Sequence, residues 1–311
     1  MNEAVITRDI VKTYRKMRAL DGFSLSVPRG STMGLVGSNG AGKTTWMMMV
    51  AGLVTPTSGT VSVLGLGPFD ASKHSGRISI LPQDSELPLE ARTRELLFHY
   101  ARLQGLSAKT AADEAQTLLK AFNLLDKADA PIRSLSHGMR KRIMVAQAFL
   151  GSPEVVLLDE PLSGLDPIEA DRMRAFIREK SGRATIIISS HNLDDLEKLC
   201  SHIAFINKGR LERVDTLRAI VSKSGCVVVT LKEMPSDIAA LEREFSGFTF
   251  VPLANTDKLE IHFDGQISVE QANERILPKL FKYGVTSVVA GRSLEQTYLQ
   301  FTQAHDVRHP G

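Results

Sequence analysis

The stretch Gly37-Ser38-Asn39-Gly40-Ala41-Gly42-Lys43-Thr44-Thr45 decides how this chain is read. Four residues separate its first glycine from a Gly-Lys-Thr, the spacing of a phosphate-binding loop. The residue types suit that chemistry. The glycines let the backbone turn so that successive N–H groups along Ser38, Asn39, Gly40, Ala41, Gly42, Lys43, Thr44 and Thr45 point inward at phosphate oxygens. Lys43 can reach the β- and γ-phosphates, and the Thr44 hydroxyl can ligate Mg²⁺. A helix starting near Gly42 adds the positive end of its dipole.

The flanks agree. Thr32 to Val36 reads as a short buried strand, and Thr44 to Ala51, with Trp46, Met47, Met48 and Met49, as a helix. Strand, loop and helix in that order are the setting this loop requires. The loop predicts nucleotide binding; it does not say which nucleotide or what work is done.

Composition sets outer bounds. The 311 residues can hold one large or two medium domains, and 43% hydrophobic content supplies a core. A net charge of +3 gives no argument for a nucleic-acid partner. The basic run Arg140-Lys141-Arg142 is short and reads as a solvated helix face. Two cysteines, Cys200 and Cys226, have no metal-ligand spacing and read as small core residues in a reducing compartment. The N-terminus lacks a basic-then-apolar leader. No apolar run approaches the roughly 18 residues of a membrane span, so the chain is not expected to cross a bilayer by itself.

Along the chain, Ala4 to Ile10 and Phe23 to Val27 alternate as half-buried strands do. Tyr14, between them, is either a turn aromatic or a stacking platform for a base. Ile78 to Leu81 reads as a strand ending near Gln83. Glu90 to Gln104, Ala108 to Phe122 and about Met139 to Leu150 have helical periodicity and read as a helical subdomain inserted into an α/β core. Val155-Val156-Leu157-Leu158-Asp159-Glu160 is a buried strand that delivers two carboxylates to its C-terminal end, where open parallel sheets place their active sites. Asp159 is placed to hold Mg²⁺ through water, and Glu160 to orient or deprotonate an attacking water. Asp166-Pro167 is an N-cap and N1 pair for a further helix. His191 follows the buried strand Thr185 to Ser189. It is either a packing or surface residue or a partner of a γ-phosphate. Ile203 to Ile206 and the Asn207-Lys208-Gly209-Arg210 turn suggest a hairpin.

Beyond about Val221 the order is βαββαβ: strands at Cys226–Leu231, Phe248–Leu253, Leu259–Phe263 and Val285–Ala290, with helices at Ser236–Phe245 and Val269–Tyr283. That order suggests a small ferredoxin-like domain. Ser293 to Thr302 reads as a last helix, and Ala304 to Gly311 as a frayed tail.

Taken together, the first 220 or so residues resemble the nucleotide-binding subunit of an ATP-binding cassette (ABC) transporter. Tyr14 falls where the family has its adenine-stacking aromatic. Gly37 to Thr45 matches the phosphate loop, Gln83 the Q-loop glutamine that touches Mg²⁺, and Leu135-Ser136-His137-Gly138-Met139 the Leu-Ser-Gly-Gly-Gln signature. Asp159 and Glu160 match the magnesium aspartate and catalytic glutamate, Ser163 to Asp166 the D-loop, and His191 the switch histidine. His137 and Met139 depart from the signature; Ser136 and Gly138 keep it. The tail, ending in Arg292-Ser293-Leu294-Glu295-Gln296-Thr297-Tyr298-Leu299, is similar to the C-terminal extension of bacterial multidrug or ABC-2-type exporter ATPases.

The resemblance implies an α/β P-loop ATPase core with an antiparallel β subdomain over residues 1–220. It implies an inserted helical subdomain at about 90–150, then a small α+β, ferredoxin-like domain over 221–303 and a tail at 304–311. It implies ATP and Mg²⁺ as cofactors, with catalytic roles for Glu160, His191 and Gln83. In the family, Ser136 and Gly138 serve the site of a partner across a head-to-tail dimer, and the D-loop Asp166 is a further nucleotide-binding residue. The chain is then expected to form a homo- or heterodimer beneath a separate transmembrane permease subunit, at the cytoplasmic face of the cell membrane, powering export. A soluble ABC-type ATPase acting on ribosomes or DNA is the alternative, disfavoured by the single cassette and the lack of a heptad run. A regulatory binder without hydrolysis is weakened by the presence of Glu160.

Overall fold

The structure, a computed structural model, describes residues 2–222, 225–253, 256–263, 267–290 and the single positions 294, 297 and 298. It divides into two units between Asp215 and Thr216.

The chain begins with β1 (Glu3–Tyr14), β2 (Met17–Pro28), β3 (Thr32–Val36), α1 (Lys43–Val50) and β4 (Ser58–Val63). It continues with α2 (Ala71–His74), β5 (Ile78–Leu81), α3 (Thr93–Leu103), α4 (Ala108–Ala121) and α5 (His137–Ala148). Then come β6 (Val155–Asp159), α6 (Pro167–Lys180), β7 (Thr185–Ser189), α7 (Leu193–Leu199), β8 (His202–Asn207) and β9 (Arg210–Thr216). Two sheets result. β2-β1-β4 is antiparallel. The order β5-β6-β7-β3-β8-β9 is six-stranded, and its first five strands run parallel. Every residue of β3, β6 and β7 is buried, and polar residues occur only at their ends, at Thr32, Asp159, Thr185 and Ser189. In β2, Phe23, Leu25 and Val27 point inward and Ser24 and Ser26 outward, the alternation of a half-exposed sheet.

The phosphate-loop helix joins the two sheets. Trp46 of α1 is fully buried in one core cluster with residues of β1, β2, β6, β7 and β8. Its ring centroid lies 6.0 Å from that of Phe23, and its indole N–H donates to Thr7 Oγ1 at 3.1 Å. The β8–β9 connection is a two-residue turn with positive φ at Lys208 and Gly209, as a type I′ hairpin needs. Gly209 donates its N–H to Ala41 O at 3.0 Å and accepts from Asp21 N at 2.9 Å, so the hairpin end is pinned to the loop.

Helices α3, α4 and α5 form the helical block between β5 and β6. The segment that enters α3 and the segment between α4 and α5 are strapped together. Arg133 N donates to Leu89 O, Ile132 N to Ala91 O, Thr93 N to Ala130 O and Arg94 N to Ala128 O, at 2.8 to 3.1 Å. The first helix therefore starts at Thr93, not Glu90: the intervening backbone groups are engaged in the strap. The third starts at His137 rather than Met139, because the Ser136 hydroxyl caps it and accepts from Met139 N at 3.2 Å. The basic run is not a solvated face. Lys141 and Arg142 are buried. Arg142 donates to Phe122 O at 2.7 Å and lies 3.1 Å from Glu169 Oε2.

The second unit carries α8 (Leu217–Ser222), β10 (Cys226–Leu231), α9 (Ile238–Glu244), β11 (Phe248–Pro252), β12 (Lys258–Phe263), α10 (Val269–Leu280) and β13 (Val285–Ala290). Its sheet, β11-β12-β10-β13, is antiparallel throughout. Val227, Val229, Leu259 and Ile261 face Leu241 of α9 and Ile276 and Leu280 of α10 in a second core. The helix expected to reach Tyr283 stops at Leu280, and a 3₁₀ turn continues to Tyr283. The helix expected over Ser293–Thr302 lies outside the described residues except at Leu294, Thr297 and Tyr298, and the tail 304–311 lies wholly outside them. Among the described residues, no helix is long and apolar enough to cross a membrane.

Candidate active site

The loop leaves β3 after Val36 and enters α1 at Lys43. Gly42 has φ +107°, and a Cβ there would sit 2.7 Å from Ala19 O, so the turn into the helix admits only glycine. Lys43 Nζ donates to Gly37 O at 2.7 Å and Ser38 O at 3.1 Å, curling the ammonium into the loop's own concavity. Burial pulls the Lys43 pKa below its ordinary range, while Glu160 and Asp159 push it back up.

The carboxylates come from the end of β6. Its neighbour β7 sets Ser189 beside Asp159 in register. The Ser189 hydroxyl donates to Asp159 Oδ1, and Thr44 Oγ1 donates to Asp159 Oδ2 at 2.6 Å. Asp159 thus ties the phosphate loop to β7. Glu160, one residue on, has φ +51°. A left-handed non-glycine residue costs about 1 kcal/mol. Two bonds from its N–H offset that cost, to Ser189 O and Ser189 Oγ, each at 3.2 Å. The turn swings the Glu160 side chain away from Asp159 and sets its Oε2 2.8 Å from His191 Nδ1. One carboxylate is fixed by hydroxyls; the other is held by an imidazole that stays exposed.

These groups line one cleft of about 590 Å³. Of the residues nominated from sequence, Tyr14, Asn39, Gly40, Ala41, Gly42, Lys43, Thr44, Thr45, Gln83, Asp159, Glu160 and His191 line it, joined by Ser163. Tyr14 ends β1 with its ring turned to the cleft and Lys12 Nζ 4.9 Å from its centroid. Ser38 offers its carbonyl to Lys43 and is not in the lining. Ser136, Gly138 and Asp166 also stand apart from the lining. Ser136 caps α5, and Asp166 caps α6, accepting from Glu169 N at 3.0 Å. The two segments touch: a Cβ on Gly164 would lie 2.9 Å from the His137 ring, and one on Gly138 would lie 3.6 Å from Leu165 Cδ2.

Sequence reasoning missed four contributors. Met17 and Ala19 line the cleft from β2. Ser189 holds both acids, and only its place at the end of a strand after an apolar run hinted at it. Lys141 sits buried in α5, where burial lowers its pKa and the Glu160 and Asp159 charges raise it, so a second lysine feels the carboxylate pair. The whole arrangement can hold a polyphosphate on backbone N–H groups and an ammonium, with a carboxylate poised beside it.

Comparison with known proteins gives the family. Residues 20–163 match the ABC transporter family model. The chain is 36% identical over 244 residues to Nod factor export ATP-binding protein I of Burkholderia orbicola, spanning 78% of this chain and 80% of that one. It is 32% identical over 274 residues to the uncharacterized ABC transporter ATP-binding protein YhaQ of Bacillus subtilis, spanning 88% and 87%. A solved ATP-binding subunit of an ABC transporter superposes with TM-score 0.64 at 27% identity, over 70% of this chain and 91% of that one. The chain belongs to the ABC transporter family, as an ATP-binding subunit whose ATP hydrolysis powers transport.

Proposed function

We propose that the chain powers export, working as a homo- or heterodimer of ATPase subunits docked on a transmembrane permease subunit at the cytoplasmic face of the cell membrane. The observation that carries this reading is the division of the site. The cleft gathers the loop, the two acids and His191, while Ser136, Gly138 and Asp166 lie outside its lining on α5 and α6. On the family's pattern Ser136 and Gly138 complete the site of a second subunit. ATP bound between two such subunits joins them, and hydrolysis releases them, a cycle a permease can use to alternate its access. The Burkholderia relative's name, Nod factor export, supports the outward direction.

Within the site, Lys43 and the loop N–H groups bind the phosphates. Thr44 Oγ1, Asp159 and the Gln83 amide offer oxygen ligands only, a donor set that fits Mg²⁺. When bound, Mg²⁺ would neutralise charge on the phosphate oxygens. Glu160, steadied at 2.8 Å by His191, aligns the attacking water and accepts its proton. His191, exposed at the cleft, also contacts the γ-phosphate. Tyr14 stacks on the adenine.

For the second unit we infer a ferredoxin-like accessory domain over 221–303. Its βαββαβ order and its sheet order β11-β12-β10-β13 support that assignment. We assign it a structural or dimerisation role.

A pull-down tests the reading. Tagged Glu160→Gln protein, incubated with ATP and detergent-solubilised host membranes, should be nearly inactive, form an ATP-bound dimer and retain an integral membrane protein in near-stoichiometric amount. Ribosomal or DNA-bound partners without a membrane protein would overturn the transporter assignment. Undiminished turnover would remove Glu160 from its role.

A further inference from the structure

The accessory unit holds a cluster that the ATPase reaction does not use. Cys226 on β10 stands opposite His262 on β12, and Glu260 lies two residues along β12. Position parity puts all three on one face of the sheet, opposite the face of Val227, Val229 and Ile261 that meets the helices. Cys226 Sγ is 3.4 Å from Glu260 Oε1, and His262 Nε2 is 3.3 Å from the same oxygen. One ligand atom from each lies within 4.8 Å of the others. Cys226 and Glu260 are buried, whereas His262 is partly exposed and gives access from solvent.

We propose that Cys226, Glu260 and His262 form a binding site for a borderline divalent transition-metal ion of the Zn²⁺ class. A tetrahedral zinc with ligands at about 2.0–2.3 Å has edges of about 3.3–3.6 Å between donor atoms. The two measured separations match those edges. The third, within 4.8 Å, closes by side-chain rotation. The donor set selects the metal: a thiolate and an imidazole suit Zn²⁺, while Mg²⁺ demands oxygen ligands and keeps to the nucleotide site. On binding, the Cys226 thiol gives up its proton to solvent and the thiolate coordinates, leaving the fourth position to water. The ion would cross-link β10 and β12 on the sheet face opposite the second core. This site stands independently of the transport reading, since none of its residues is among those lining the cleft.

Cobalt is the probe. The full-length, untagged chain, freed of metal by chelator and titrated with Co²⁺, should develop a thiolate-to-cobalt charge-transfer band that saturates at about one ion per chain. Zn²⁺ should bleach it. Cys226→Ser should abolish the band, and His262→Ala should weaken Co²⁺ binding by at least about 100-fold, since groups that merely orient a ligand are worth about 10–100-fold. Cys200→Ser is the control. That thiol is buried and its pKa is pushed far up by burial, so the band should survive. ATPase activity in every variant reports folding. No charge-transfer band in the wild type, a band that survives Cys226→Ser, or one that is lost with Cys200→Ser would each overturn the assignment.

Discussion

Replacing Ser189 with alanine removes one hydroxyl and leaves the packing shape nearly unchanged. That hydroxyl is fully buried at 0% exposure, donates to Asp159 Oδ1 and accepts from the Glu160 N–H at 3.2 Å. The amide retains the Ser189 carbonyl, also at 3.2 Å, so it loses little. Asp159, 2% exposed, keeps only Thr44 among its two hydroxyl donors. A hydrogen bond to a buried charge contributes about 1.5–3 kcal/mol, most of it the cost of leaving that charge unsatisfied. For folding, a loss of about 2 kcal/mol in a domain of this size lowers Tm by about 4–8 °C. For catalysis, a loss of about 1.5–3 kcal/mol expressed in the transition state is about 10–150-fold in kcat/KM. KM for MgATP should rise together with the fall in kcat, because Asp159 serves both binding and chemistry. Steady-state phosphate release and thermal unfolding of the same preparation measure the two effects. A kcat/KM within about twofold of wild type, with Tm within about 1 °C, would show that the hydroxyl does not hold Asp159.

Trp46→Phe keeps most of the buried ring but removes the indole donor to Thr7, whose hydroxyl keeps its bonds to Leu25; urea unfolding should show a loss of about 1 kcal/mol, and an unchanged midpoint would refute the anchoring role. Lys141 carries a pKa lowered by burial, so between that lowered value and the ordinary 10.5 the unfolded chain binds more protons than the folded one, and stability from this site rises with pH. The Tm of Lys141→Met relative to wild type should therefore be highest near pH 7.5 and shrink by about pH 10; a constant difference contradicts the burial argument. His137→Gly removes the ring from against Gly164 and restores the family's signature residue; we expect hydrolysis to rise by at least about twofold, and an unchanged or lower rate would refute it.

Much of the core could be read because its signals are local. A glycine-rich loop between a buried strand and a helix, and an apolar run ending in Asp159 and Glu160, each state their structure within a few residues. What escaped depends on register and depth. Ser189 meets Asp159 only because β7 lies beside β6, strands separated by a helix and some 25 residues of chain. Lys141 and Arg142 looked like surface because charge usually is, and only the contacts of α5 with Phe122 and Glu169 reveal that they are buried. Cys226 had no ligand spacing in the sequence, since its neighbours arrive across a strand pair. Tyr14 comes to the cleft through the β1–β2 pairing, a placement its position in the chain alone does not state.

The strap at the base of the helical block has a mechanical reading. Four backbone bonds fasten 89–94 to 128–133, so the two chain segments that flank the α3–α4 pair cannot slide past each other independently. The block behaves as a lever on a stiff two-ply wrist. Its pivots are the single-ply stretches below the wrist, Pro82 to Pro88 on one side and Ser134 to Ser136 on the other. A push applied anywhere on α3 or α4 is therefore delivered as one rotation to Gln83 and to the first turn of α5. The outer bend at Gly105 lies beyond the wrist, and chain could be added there without softening the stroke.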